Sequence, residues 1–150
     1  MALMGFGKHQ VPDKIQAKNF EAVNDEGKVM VRIGTFEGDG VVTTYRPSGE
    51  ILADIVSTKS GAGGMVLYDG AGKQNLILTD VSGGGGSVRV NNSKGQTAVQ
   101  IGRNGNQAGS VTIKNQNDKS ILLLTGDTAE AGAIIAYDNE GKQTGRVPGG

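Results

Sequence analysis

The sequence predicts an all-β fold of six repeats, each ~23 residues long and built from two short strands. Three observations predict it: glycine makes up 26 of the 150 residues, polar turns recur at a nearly constant spacing, and apolar residues alternate on both sides of each turn. Average proteins contain roughly 7% glycine. Because the glycines here are periodic, they indicate ordered turns rather than a disordered chain.

Each repeat is marked by a four-residue polar turn that closes on glycine, or in one case on aspartate. The closing residues follow one another at an almost constant interval along the chain. An opening Asp or Asn can bond to the turn backbone, and glycine at the fourth position adopts a left-handed conformation without strain, with Asp the next best choice. The turns are Asn24–Gly27, Arg46–Gly49, Asp69–Gly72, Asn92–Gly95, Asn115–Asp118 and Asp138–Gly141.

A second glycine-rich segment follows half a repeat after each of the first five turns, and we expect it to form a second loop. Its glycines are Gly38 and Gly40, Gly61, Gly63 and Gly64, Gly83 to Gly86, Gly109, and Gly132. Each repeat is therefore predicted to consist of two strand segments joined by two different connections.

Alternation identifies the strands. The residues four and two positions before each turn, and four and six positions after its closing residue, form a set of 24, of which 22 are apolar, against about 9 expected from the 36% apolar content. Apolar residues at every second position in short runs are typical of strands. The set is Phe20, Ala22, Val31, Ile33, Val42, Thr44, Ala53, Ile55, Met65, Leu67, Leu76, Leu78, Val88, Val90, Val99, Ile101, Val111, Ile113, Leu122, Leu124, Ile134, Ala136, Gly145 and Val147. We expect twelve strands and no helix.

The intervening positions predict a second, mixed face. It carries charged residues such as Glu21, Arg32 and Asp54, yet half of its 24 positions are apolar or Tyr. A fully solvated face would be more polar, so we expect part of this face to be covered as well.

The apolar layer must be closed to be stable, because one flat sheet cannot bury its own face. In one arrangement, the repeats are hairpins of a long meander, and three identical chains form the walls of a prism with the aliphatic residues on its axis. In the other, each repeat is one coil of a single-chain β-solenoid. The turn at Asp69–Lys73 favours hairpins. One point counts against hairpins. Strict alternation through the turn requires a loop with an even number of residues, whereas the commonest glycine-bulge hairpin has three loop residues. The trimeric prism is preferred.

Composition excludes several classes of function. The 15 basic and 15 acidic residues give no net charge and form no basic run, so we expect no nucleic-acid partner. Cysteine is absent, which excludes disulfides and thiolate metal sites. No segment has the ~18 apolar residues of a membrane span, and no secretory leader is visible.

The repeats resemble a known class of protein. The run Lys18–Gly34 (KNFEAVNDEGKVMVRIG) and units such as Met65–Lys73 (MVLYDGAGK) are similar to hairpin repeats of uncharacterised bacterial proteins and to the shafts of phage tail fibres and tail spikes. The resemblance covers about residues 15–147. It implies a homotrimeric structural shaft in a virion, an injection apparatus or a cell-surface filament, located in the virion or outside the cell.

No catalytic, cofactor-binding or metal-binding residues are predicted, and we do not expect an enzyme. Single carboxylates on different repeats do not form a glycosidase pair by spacing, and His9 is the only histidine. We interpret His9 as solvated; in a trimer, three copies could instead meet on the axis and bind a metal or an anion. Residues 1–14 lie outside the repeat region, 15–150, and are interpreted as a cap or as an attachment segment for a larger assembly.

Three tyrosines are the only candidates for a binding surface. Tyr45, Tyr68 and Tyr137 occupy equivalent places one residue before a polar turn. We interpret them as residues that pack on the strands and stabilise the hairpins. The alternative is an aromatic row that binds glycans or a partner protein. The alternative function is accordingly a β-solenoid binding module for glycans or a partner protein.

Overall fold

The computed structural model describes residues 16–58, 61–80, 84–126 and 131–148. In this part of the chain, the structure is all-β and has no helix, as predicted. Its twelve strands are β1 (Phe20–Val23), β2 (Val29–Phe36), β3 (Asp39–Tyr45), β4 (Ile51–Ser57), β5 (Gly63–Tyr68), β6 (Gln74–Asp80), β7 (Gly86–Asn91), β8 (Thr97–Arg103), β9 (Gly109–Lys114), β10 (Ser120–Gly126), β11 (Gly132–Tyr137) and β12 (Gln143–Pro148). His9 and the segment 1–14 lie outside the described residues.

The strands form a single unclosed sheet in which each strand pairs antiparallel with its neighbour in sequence. The chain is therefore a meander of hairpins, with β1 and β12 at the two edges. Strands one repeat apart, which would pair in a solenoid coil, are not paired in the described chain. This sheet is one layer, and no other element of the described chain covers either face.

A β-bulge beside each polar turn sets the alternation. In the first hairpin, Ala22 pairs with Val31 but Val23 pairs with Val29, so Met30 is an extra residue. Without the bulge, Arg32 would take the place of Ile33 on the apolar face, since a shift of one residue exchanges the faces. The same shift occurs in the five other polar-turn hairpins, and none occurs in the linking hairpins between them. The bulge thus reconciles a turn of odd length with strict alternation.

The opening Asn or Asp side chain holds five of the six polar turns. Asn24 Oδ1 accepts hydrogen bonds from the backbone N–H groups of Glu26 (3.1 Å) and Lys28 (3.0 Å), and Gly27 N–H donates to Asn24 O at 2.9 Å. The side-chain bonds recur in the turns opened by Asp69, Asn92, Asn115 and Asp138. Asp118 takes the left-handed position with φ of +61°, as its place in the repeat predicts.

Some of the predicted loop glycines lie in strands. Gly38 and Gly61 have positive φ and belong to linking connections, as expected. Gly40, Gly63, Gly86, Gly109 and Gly132 instead begin or closely follow the beginning of β3, β5, β7, β9 and β11. The linking connections are shorter than their glycine content indicated; the first consists only of Glu37 and Gly38, both at positive φ, which is typical of a type I′ hairpin turn.

We expect Asn92→Ala to lower the free energy of unfolding by about 1 kcal/mol, because two backbone N–H groups lose their side-chain acceptor. Asn92→Asp should be nearly neutral, since Asp69 and Asp138 perform the same role in their turns. Urea unfolding of the three proteins measures the difference. Equal losses in both variants would show that the side-chain acceptor does not stabilise the turn.

Candidate functional site

The face that the sequence predicts to be interior is the more exposed of the two faces of the sheet. The 24 positions predicted to line a dry interior share one face, here called the apolar face, and none of them is buried within the chain. The described chain has five buried residues, which all lie on the mixed face: Thr43, Asp54, Ile77, Ser87 and Ala133. No second layer of the described chain lies over these buried residues, so the expectation that part of the mixed face is covered stays a prediction. The described part of the chain does not bury the apolar face either.

The exposed large side chains show the same difference between the faces. Of the eleven large hydrophobic residues exposed in the described chain, nine are on the apolar face, with exposed fractions from 37% to 65%. They are Phe20, Ile33, Ile55, Leu78, Val90, Ile101, Leu124, Ile134 and Val147.

The exposed apolar residues are concentrated in one of two rows. The turn-side row contains the position of each strand nearer the polar turn, such as Ala53, and the loop-side row contains the other, such as Ile55. Eight of the nine exposed residues belong to the loop-side row, and Val90 is the exception. The loop-side row therefore forms a continuous aliphatic ridge across the sheet.

The band formed by both rows is large enough for a protein interface. Twelve strands at ~4.8 Å spacing extend about 50 Å, and two rows are about 13 Å wide, which gives an area on the order of 700 Å². A standard interface takes about 800 Å² from each partner. Monomeric proteins rarely expose an apolar patch of this size, and such patches mark interaction surfaces.

The mixed face contains a compact polar cluster around Asp54. Asp54 is 8% exposed, and its Oδ2 accepts a hydrogen bond from the Tyr68 hydroxyl at 3.2 Å. Thr43 is the cross-strand partner of Asp54 on one side, and Arg32 is the partner of Thr43 on the next strand. The Arg32 guanidinium lies 5.8 Å from the centre of the Tyr45 ring, which permits a cation–π contact.

Arg32 also joins the cluster to the edge strand β1. Its Nε donates to Glu21 Oε1 at 2.9 Å, and this hydrogen bond raises the pKa of the Arg32 guanidinium. Both side chains are about half exposed, so the ion pair contributes little to stability and mainly fixes the position of the guanidinium.

Two hollows meet at Tyr45 and Arg32. One, of about 360 Å³, is lined by these two residues with Thr43, Asp54 and the apolar side chains of Phe36, Val41, Ile51 and Val56. The other, of about 340 Å³, lies between the first two polar turns and is lined by Lys28, Arg46 and Ser48 together with Tyr45 and Arg32. The arrangement offers one carboxylate acceptor, one guanidinium donor and one aromatic ring at a single place.

The structure brings two of the three predicted tyrosines near each other and leaves the third apart. All three side chains lie on the mixed face. Tyr45 and Tyr68 are on β3 and β5, about 10 Å apart by strand spacing, but Tyr137 on β11 is six strands farther, about 29 Å away. A continuous aromatic row is therefore absent. The sequence prediction also missed Arg32 and Asp54 as companions of Tyr45, because their adjacency depends on the register between strands.

The described residues contain no group of three His, Asp or Glu side chains that could hold a metal ion. Glu21 and Asp54 are three strands apart, about 14 Å, which exceeds the separation used by glycosidases. No helix in the described chain is long and apolar enough to cross a membrane.

No protein-family model and no curated protein sequence matches the chain.

The pKa of Tyr68 is raised above its ordinary value, first by burial and then by the nearby Asp54 carboxylate. The folded protein therefore retains the phenol proton to a higher pH than the unfolded chain. The contribution of this Tyr68 environment to the free energy of unfolding is present below the ordinary tyrosine pKa of about 10. It is lost as the pH rises through the pKa of Tyr68 in the folded protein.

We expect Asp54→Asn to lower the pKa of Tyr68, because the carboxylate that opposes ionisation is replaced by a neutral amide. Near-ultraviolet titration of the phenolate, in a background where Tyr45 and Tyr137 are changed to Phe, measures this group alone. Identical titration with and without Asp54 would show that the two side chains do not interact in solution.

Proposed function

We propose that the chain is a structural, shaft-like or spike-like element that assembles side by side with copies of itself through the apolar face, with a trimer as the favoured assembly. The observation that carries the proposal is the location of nine of the eleven exposed large hydrophobic residues on one face of a single-layer sheet. Covering such a face releases apolar surface from water, at roughly 25 cal/mol per Å².

Three features support a structural role. The described fold is a rod-like succession of similar hairpins, each in contact with its neighbours only. The apolar face extends along the whole sheet rather than forming one local patch. The side chains on it are aliphatic with Phe20 as the one aromatic, which suits a narrow shared axis between three walls.

The biological setting follows from the resemblance of the repeats to tail-fibre and tail-spike shafts. On that basis, we place the shaft in a virion, an injection apparatus or a cell-surface filament. Residues 1–14 are then the segment that caps the shaft or attaches it to a larger assembly, and His9 is the residue whose three copies could meet there.

The assembly is tested by sedimentation at micromolar concentrations. We expect a species of three times the 15.4 kDa chain mass. Ile101→Asp should abolish it, because each copy would place an unpaired charge in the covered apolar layer. In the single chain, Ile101 is 47% exposed, so the same change would cost little if no copies associated.

Arg89→Asp is the matched control. Arg89 lies on β7, which neighbours the strand of Ile101, but on the mixed face, where it pairs with Gln100. We expect it to leave the assembly intact. A wild-type protein that keeps the mass of a single chain at all concentrations would end the proposal, and equal effects of the two variants would show that the apolar face is not the interface.

A second candidate function is glycan binding by the mixed face, favoured by the polar cluster at Tyr45. A sugar ring presents apolar C–H groups that pack on an aromatic ring and hydroxyl groups that bond to carboxylate and guanidinium groups. Arg32, Tyr45 and Asp54 supply these three groups around the 360 Å³ hollow. Glycan binding is compatible with the shaft, because it uses the opposite face.

A glycan array with wild-type protein and with Tyr45→Ala tests this candidate. We expect binding to be lost with Tyr45→Ala and retained with Tyr137→Ala, since Tyr137 lies outside the cluster. Absence of binding by the wild-type protein, or equal loss in both variants, would exclude the cluster as a glycan site.

A further inference from the structure

A column of five glycines crosses the sheet beside the loop-side row. Gly40, Gly63, Gly86, Gly109 and Gly132 occur one in each of the strands β3, β5, β7, β9 and β11, at a constant interval of one repeat. Each lies two residues before a member of the loop-side row, for example Gly86 before Val88. Because side chains alternate in a strand, these glycines lie on the apolar face.

The backbone conformation does not require glycine at these positions. None of the five has a positive φ, whereas turn residues such as Gly27 and Gly95 do. Glycine inside a strand weakens it relative to residues with side chains. Its recurrence in five strands therefore needs another cause.

Packing among the described residues does not require glycine there either. A Cβ atom placed on any of the five would meet no heavy atom of the described chain within 4 Å. At Gly34, by contrast, an added Cβ would collide with the side chain of Asn19. Glycine in a strand often marks the close approach of another chain or a ligand, and no described residue of this chain makes that approach.

The column leaves an open groove in the apolar face. A hollow of about 610 Å³ runs from β4 to β8, with Gly63 and Gly86 on its floor. Most of the side chains that line it are the loop-side residues Ile55, Met65, Leu78, Val88 and Ile101, and Asp80 lines it as well. An occupant of this groove would be mainly aliphatic, since most of the lining is.

The periodicity of the column identifies the occupant. The glycines recur at every second strand, about 10 Å apart across the sheet. A partner that approaches all five must present the same period over about 40 Å, and a second copy of this chain has that period when it lies parallel and in register. A small ligand or an unrelated globular partner would need space at one or two of these positions only.

We propose that the glycine column is the contact line of the assembly, where aliphatic side chains of a parallel, in-register copy approach the strand backbone. This inference rests on the proposed function and specifies its geometry. The five glycine positions mark where neighbouring walls meet. On the strands between them, the cross-strand partners of the glycines are Thr35, Ser57, Asp80, Arg103 and Gly126.

Gly86→Ala, Gly86→Val and Gly86→Leu test the contact line. Because φ is not positive and no atom of the described residues would lie within 4 Å of an added Cβ, the single chain should tolerate all three, and circular dichroism should remain that of a β-sheet. We expect assembly to weaken progressively with side-chain size. Gly86→Leu should need at least tenfold more protein for half-assembly, measured by sedimentation.

Gly105→Leu is the matched control, and Gly109→Leu is a second test. Gly105 also lacks a positive φ and neighbours within 4 Å, but it lies in a linking connection outside the column. It should assemble as the wild type does. Gly109→Leu, one repeat farther along the column, should weaken assembly as Gly86→Leu does, which separates a loss of contact from a local folding defect at Gly86.

The outcomes distinguish the two proposals. A wild-type protein that stays at the mass of one chain overturns both the shaft assembly and the contact line. A wild type that assembles while Gly86→Leu and Gly109→Leu assemble equally well overturns the contact line and leaves the shaft. Weakened assembly in the two column variants, with Gly105→Leu unaffected, supports the contact line.

Discussion

The structure depends on the fact that a one-layer sheet cannot cover its own apolar face. Each strand places two positions of the repeat on that face, 22 of the 24 being apolar, and successive hairpins add to the band without adding a second layer. No residue of the band is buried within the chain, so the large free energy available from removing it from water remains unused. The proposed shaft assembly and the proposed contact line both follow from this geometry.

The β-bulges make this separation of faces possible. Every polar turn would, by its length alone, exchange the faces of the following strand. One extra residue per turn restores the apolar positions to one side and places charged residues such as Arg32, Asp54 and Arg89 on the other. The same restoration brings Arg32, Thr43 and Asp54 into one line on the mixed face, and so produces the polar cluster.

Sequence periodicity was sufficient to predict the strands and turns. Alternation at positions such as Val88 and Val90 and the spacing of Gly95 from Gly72 are local signals, because a hairpin pairs residues that are close in the chain. The strand location of Gly40 and Gly86 was predicted wrongly, since glycine composition alone does not separate a loop from a strand end. The neighbours of Tyr45 were also missed, because they depend on the bulged register. In the proposed shaft, the closure of the apolar layer depends on other copies of the chain, which a single sequence does not specify directly.

The pairing of each strand with its sequence neighbours alone has a consequence for how the length of such a protein can change. Insertion or loss of one complete repeat would leave every remaining hairpin with its partners, since no strand in the described sheet reaches beyond the adjacent one. The aliphatic band and the glycine column would lengthen or shorten by the same step. Duplication of a single unit thus offers a simple evolutionary route to rods of different reach.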